Sequence, residues 1–205
     1  MNWPVLPVAL LLILPGCSKK APALQQPVGT VQGTIYFPLV AGSKITFKGG
    51  TGIGTNEVDP DNPSFTVAVA RMSDGKPGFT IDRDGRGIIN AITMFYTKTA
   101  EGIVTYSGMF GVSKTEFNPP FVELPTAITA HARWSWKSSI NAMTVDSEVL
   151  GYETITVPAG SFKCLKIHRS FGGMGSLDQW YAENKGIIKV DMINSGGRVY
   201  LERSN

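Results

Sequence analysis

The chain has 205 residues, a formal net charge of +3, 42% hydrophobic residues and 17% charged ones. Charges of both signs are scattered, and no basic block is interleaved with aromatics, which excludes an electrostatic nucleic-acid surface. A chain of this size buries around 70% of its unfolded surface, so a packed core alone can stabilise it.

The first element is an apolar run. From Trp3 to Gly16, 14 residues carry no charge, whereas a membrane-spanning helix needs roughly 20 apolar residues. Pro4, Pro7 and Pro15 would also break a packed helix. Residues 1–16 therefore read as a secretory signal peptide. The stretch Leu14-Pro15-Gly16-Cys17 resembles the lipobox of bacterial lipoproteins, in which an aliphatic residue stands three positions before an obligatory Cys. That resemblance implies diacylglyceryl transfer to the Cys17 thiol, cleavage after Gly16 and acylation of the new amino terminus. Acyl chains on Cys17 would make the membrane a partner, since two or more chains anchor stably. By the same resemblance, Ser18 in place of Asp implies the outer membrane, facing the periplasm. With Cys17 acylated, Cys164 has no disulfide partner. Cys164, His131 and His168 then fall short of the four ligands of structural zinc. No metal and no cofactor are expected.

Residues 17–32, rich in Pro, Gln and small side chains, read as a lipidated Cys and flexible tether with a reach of roughly 45 Å. Residues 33–205 read as a single domain. Two-residue alternation broken by Gly, Pro, Asn and Asp predicts strands at 44–49, 64–72, 87–99, 102–113, 132–138, 152–157, 161–167, 178–182, 186–193 and 197–203. No segment of eleven or more residues keeps a 3.6-residue period. The expectation is an all-β, antiparallel barrel, strongly curved sheet or sandwich of about ten strands. Three echoes point to two pseudo-repeats of about 95 residues: KITFK (44–48) with RWSWK (133–137), SFTVAVAR (64–71) with SFKCLKIHR (161–169), and DGRGIIN (84–90) with ENKGIIK (183–189).

YETITVPAGSFKCLKI (152–167) followed by WYAENKGIIKVD (180–191) resembles a signature of uncharacterised bacterial exported proteins and lipoproteins. YFPLVAGSKITF (36–47) resembles the opening of many of them. The resemblance implies a curved antiparallel sheet or barrel, broadly similar to the lipoprotein-carrier fold. Read without the family, Pro158 cannot donate to a ladder and ends a strand, and Gly160 is free to take positive φ in a hairpin corner. Glu183-Asn184-Lys185-Gly186 suits a second turn.

Motifs for catalysis are thin, and no catalytic residue is assigned. Ser161 follows Gly160, but the second glycine of a nucleophile elbow is missing. Asp82 and Asp84 lack the rest of a calcium loop and read as turn residues. The Gly-rich stretches 49–55 and 171–176 lead into strands, not helices. His131 and His168 are 37 positions apart, and no motif ties either to a nucleophile. Trp134 and Trp136 are two apart and share a face, so with Trp180 they are the candidates for a ligand wall or for core. Two readings of function stand. One is a non-catalytic, membrane-anchored lipoprotein binding a lipid or other hydrophobic ligand. The other is a scaffold that docks an envelope protein through sheet edges or loops. A hydrolase is a third.

Overall fold

The computed structural model describes residues 24–27, 29–52, 64–71, 77–84, 92–110, 113–140 and 142–205. The signal peptide and Cys17 lie outside the described residues, as does most of the segment 84–90. The strands are β1 (Val31–Gln32), β2 (Lys44–Gly52), β3 (Ser64–Arg71), β4 (Pro77–Asp84), β5 (Ile92–Lys98), β6 (Gly102–Phe110) and β7 (Ser113–Pro125). They continue with β8 (Ala127–Ile128), β9 (Arg133–Lys137), β10 (Thr144–Val157), β11 (Gly160–Ser170), β12 (Gly175–Ala182), β13 (Gly186–Asn194) and β14 (Gly197–Arg203).

Twelve of these form one antiparallel sheet in the order β7-β6-β5-β4-β3-β2-β14-β13-β12-β11-β10-β9. The chain thus makes one six-stranded meander from β2 out to β7, crosses over, and makes a second from β9 back to β14. The two meanders join where Phe47 of β2 pairs with Arg203 of β14. The KITFK and RWSWK strands, β2 and β9, each open a meander. SFTVAVAR lies on β3, the second strand of its meander, whereas SFKCLKIHR lies on β11, the third of the other.

The sheet curls until its two edges meet. The β5–β6, β6–β7, β10–β11 and β12–β13 ladders each carry a register shift, and such bulges bend a strand and raise its twist. Edge strands β7 and β9 share no ladder. Instead the Trp134 indole donates to the Val122 carbonyl at 3.0 Å, and the Trp136 indole donates to the Pro119 carbonyl at 2.6 Å. The Ser139 backbone N–H reaches the Asn118 carbonyl at 2.7 Å. Two indole donors and one backbone hydrogen bond close the barrel along a seam that carries no ladder.

Alternation assigns the faces. On β11, Leu165 and Ile167 are fully buried in the main core with Ile103, Leu124, Val149 and Tyr181. Cys164, on the other face, is buried in a separate cluster with Val157, Trp180, Ala182 and Ile188. One end of the barrel is covered by β1, paired with β8, and by a 3-10 helix at Gly33–Tyr36. Tyr36, Phe37 and Leu39 insert there.

Two strands of the twelve-stranded sheet escaped the sequence reading, besides the short β1 and β8. β4 begins Pro-Gly, and Asp82 and Asp84 fall within it, not in a turn. β7 holds Pro119, Pro120 and Pro125, which a central strand would reject but an edge strand accepts because its outer N–H row is unpaired. The described end of the tether is held against the domain. Gln25 and Tyr152 exchange backbone hydrogen bonds of 3.1 and 2.5 Å, and the Gln26 amide donates to the Leu150 carbonyl at 2.6 Å. The reason is Gly151, at a bulge with φ +126°: a Cβ there would stand 2.8 Å from the Gln25 carbonyl oxygen. The absent side chain lets residues 25 and 26 lie against the domain.

Candidate functional site

The inner faces of the two meanders do not fill the barrel. Between them lies a cavity of about 370 Å³. An apolar void of about 150 Å³ already holds a benzene, and ligand pockets begin at roughly 300 Å³. Phe65, Met94, Phe121, Trp136, Met192 and Leu201 are among its walls, drawn from both meanders. Most of the lining is aliphatic or aromatic because these positions alternate toward the inside of the strands that bound it.

One side of the cavity is polar. Arg169 of β11 is 2% exposed. Its Nη2 donates to the Glu123 carbonyl at 2.6 Å and stands 3.2 Å from the Glu123 carboxylate. Its Nη1 reaches the Tyr181 hydroxyl at 3.4 Å, and that hydroxyl donates to Glu123 Oε1 at 2.8 Å. Burial by itself would lower the guanidinium pKa, but Glu123 and Tyr181 more than reverse this and hold it charged. Burial, and then Glu123, push the Tyr181 phenol well above its ordinary range, so it stays a donor. The guanidinium also lies over the Phe121 ring, 5.7 Å from its centroid. Arg169 and Glu123 together are a paired, internally neutral charge set into an apolar wall.

The tryptophans part company here. Trp134 pairs across β9–β10 with Ser147, and Trp136 with Val145. Trp134 packs against the main core. Trp136 is 7% exposed, lines the cavity and stacks edgewise on Phe117 and Phe121 at 5.7 and 5.9 Å. Trp180 faces outward. Its indole donates to the Glu153 carboxylate, and the Lys166 and Lys189 ammonium groups lie 4.6 and 5.6 Å from its ring. It forms no part of the cavity wall.

The turn residues sit away from the cavity. Pro158 and Ala159 make the turn between Val157 and Gly160, which pair directly. Gly160 has φ +124° and Gly186 +81°, with Asn184 at +57° in the same turn as Gly186. His168 pairs with Asp178 on the outer face, Nδ1 to Oδ1 at 2.6 Å, and His131 is exposed.

Glu123, Arg169 and Gln179 were absent from the sequence-level candidates. Arg169 ends a stretch, KCLKIHR, whose three basic residues look like a wet stripe. The phase of alternation was the available signal: Arg169 shares its parity with Leu165 and Ile167, whereas Lys166 and His168 do not. A larger recess of about 610 Å³ lies near the 3-10 helix, lined by Tyr36, Tyr152, Phe162, Lys163, Glu183 and Lys185. Its rim residues Lys163, Glu183 and Lys185 are exposed, so it is a wet surface groove, and the inner cavity is the better candidate site.

The family described as DUF3108-like matches residues 79–201, well over half the chain. The chain belongs to the DUF3108-like family. The matched part of this DUF3108-like protein runs from β4 to β14 and so supplies most of the cavity wall. A candidate exported protein from Bacteroides fragilis with a YmcC-like fold is similar at 14% identity and TM-score 0.46, covering 84% of this chain and 98% of that one. A candidate lipoprotein from Parabacteroides distasonis is similar at 17% identity and TM-score 0.39, covering 85% and 99%. No curated protein matches.

Proposed function

We propose that this DUF3108-like protein is a lipid-anchored envelope protein that holds a hydrophobic ligand inside its barrel. The cavity carries the reading: about 370 Å³ of mostly apolar lining is ligand-sized, and an apolar molecule seated there would remove that lining from water. The lipobox-like Leu14-Pro15-Gly16-Cys17 supports anchoring through acyl chains on Cys17, and Ser18 supports the outer membrane. Docking through sheet edges is less favoured, since carbonyls of β7 already accept from Trp134, Trp136 and Ser139.

Mass spectrometry of the protein purified from its own envelope tests both parts together. The expected result is an acylated Cys17 and a co-purifying apolar small molecule. Val199→Phe fills the cavity and should remove that molecule while the circular dichroism spectrum is kept. A bare Cys17 would refute the anchor. A co-purifying molecule that survives Val199→Phe would refute the cavity as its site.

A further inference from the structure

Three buried side-chain atoms make no hydrogen bond among the described residues: Ser147 Oγ, Arg169 Nε and Gln179 Oε1. They sit on three neighbouring strands. Ser147 of β10 stands directly opposite Arg169 of β11, and Gln179 of β12 is two places along from Leu177, which stands opposite Arg169 on the other side. Arg169 and Gln179 line the cavity and are 2% and 7% exposed. Buried polar atoms nearly always have partners, and leaving one without costs most of its hydration. Two such atoms facing one void call for a partner that enters with polar atoms of its own.

The charge already present restricts that partner. Arg169 is matched by the Glu123 carboxylate at 3.2 Å and by the Glu123 carbonyl at 2.6 Å. A ligand carboxylate would bring an unmatched negative charge into a poorly solvated space, which is strongly unfavourable. It would also face the lone pairs of Gln179 Oε1. The complementary head is uncharged, with an acceptor for Arg169 Nε–H and a donor for Gln179 Oε1. Resting on the cavity reading above, we propose that the site takes a neutral single-chain amphiphile with an amide or glyceryl-ester head. The head bonds Arg169 Nε and Gln179 Oε1, and the chain lies among Phe65, Met192 and Leu201. At about 370 Å³ the space is near the lower end of ligand pockets, matching one acyl chain and not two.

The test uses the full chain carrying Cys17→Ser, stripped of bound lipid on a hydrophobic resin, with N-phenyl-1-naphthylamine as the displaced fluorescent probe. Four ten-carbon competitors are compared at pH 8: decane, decanoate, decanamide and 1-monodecanoylglycerol. Decanamide and monodecanoylglycerol should bind about tenfold tighter than decane, the factor given by about 1.4 kcal/mol of net hydrogen bonding, and tighter than decanoate. Gln179→Leu should collapse the decanamide-to-decane ratio toward one. If that variant fails to fold, the wild-type ranking still decides. Decanoate binding most tightly, or neutral heads binding no better than decane, would overturn the head-group assignment while leaving an apolar cavity in place. Displacement by none of the four would overturn the cavity reading and this inference with it.

Discussion

Truncating Trp136 tests the seam and the cavity wall at once. Its side chain is 7% exposed, stacks edgewise on Phe117 and Phe121 and donates to the Pro119 carbonyl at 2.6 Å. A buried Trp→Ala change costs about 3–5 kcal/mol. Trp136 already borders a void, so part of its surface has no neighbours to lose, and the lower half of that range is expected. In a domain of this size the melting temperature should fall by roughly 6–12 °C for about 3 kcal/mol. Trp136→Phe separates the contributions. It keeps an aromatic face for Phe117 and Phe121 but loses the donor to Pro119, and should cost about 1–2 kcal/mol. Urea unfolding followed by far-ultraviolet circular dichroism reads both variants, with the slope m unchanged. Hydrogen exchange on β7 and β9 should quicken in Trp136→Phe ahead of exchange elsewhere. A cost below about 1 kcal/mol for Trp136→Ala, with unaltered exchange at the seam, would refute the view that indole donors hold the edges together.

Three further outcomes follow from other parts of the barrel. Gly160 has φ +124°, and a Cβ there would meet only Phe162 Cε2 at 3.9 Å, so the cost of substitution is conformational. Gly160→Ala and Gly160→Val should each destabilise by about 1–3 kcal/mol in urea unfolding, and a change within a few tenths would contradict that. Glu123→Ala leaves Arg169 buried with its charge unmatched and should cost about 3–5 kcal/mol, most of it recovered in the double variant with Arg169→Met; a double variant no more stable than Glu123→Ala would count against the pairing. The Asp191 carboxyl is held below its ordinary 3.8 by the hydrogen bond from Arg198, with burial opposing. Its contribution is present above that ordinary value and lost as pH falls through the lower folded value. Half of the Arg198 side chain is exposed, so Asp191→Asn should cost under about 1 kcal/mol at pH 6 and progressively less as the pH is taken below 3.8, and a cost that does not shrink with falling pH would refute the linkage.

The strands that alternate cleanly and are bounded by turn residues could be read from the sequence. Examples are KITFK in β2, SFTVAVAR in β3 and GIIKVDMI in β13. β7 could not, because local chemistry says that three prolines break a strand, and only its place at the sheet edge makes them tolerable. The N-terminal half of β10 was missed for a related reason: Asp146, Ser147 and Glu148 look like a loop until the face that carries Ser147 with Val145 and Val149 is known to be buried. The cavity was illegible in principle. A void is what remains after two meanders pack, and no single residue announces it. Arg169 and Glu123 lie 46 positions apart, and nothing local in either segment foretells that they meet.

The joint between β2 and β14 bears on how the chain must assemble. Every other ladder in the twelve-stranded sheet links strands that are neighbours in sequence, so most of the pairing closes short loops quickly. Phe47 and Arg203 are partners at opposite ends of the domain, and closing so long a loop carries the largest entropic cost of any ladder in the sheet. A chain delivered amino-terminus first presents β2 with one ladder edge unsatisfied until β14 emerges. Through that interval the protein is an open sheet with a sticky inner margin, the condition in which edge-to-edge association competes with folding. The last seven-residue strand, Gly197–Arg203, is therefore the latch of the fold, and the time before it arrives is when the protein is most exposed to aggregation.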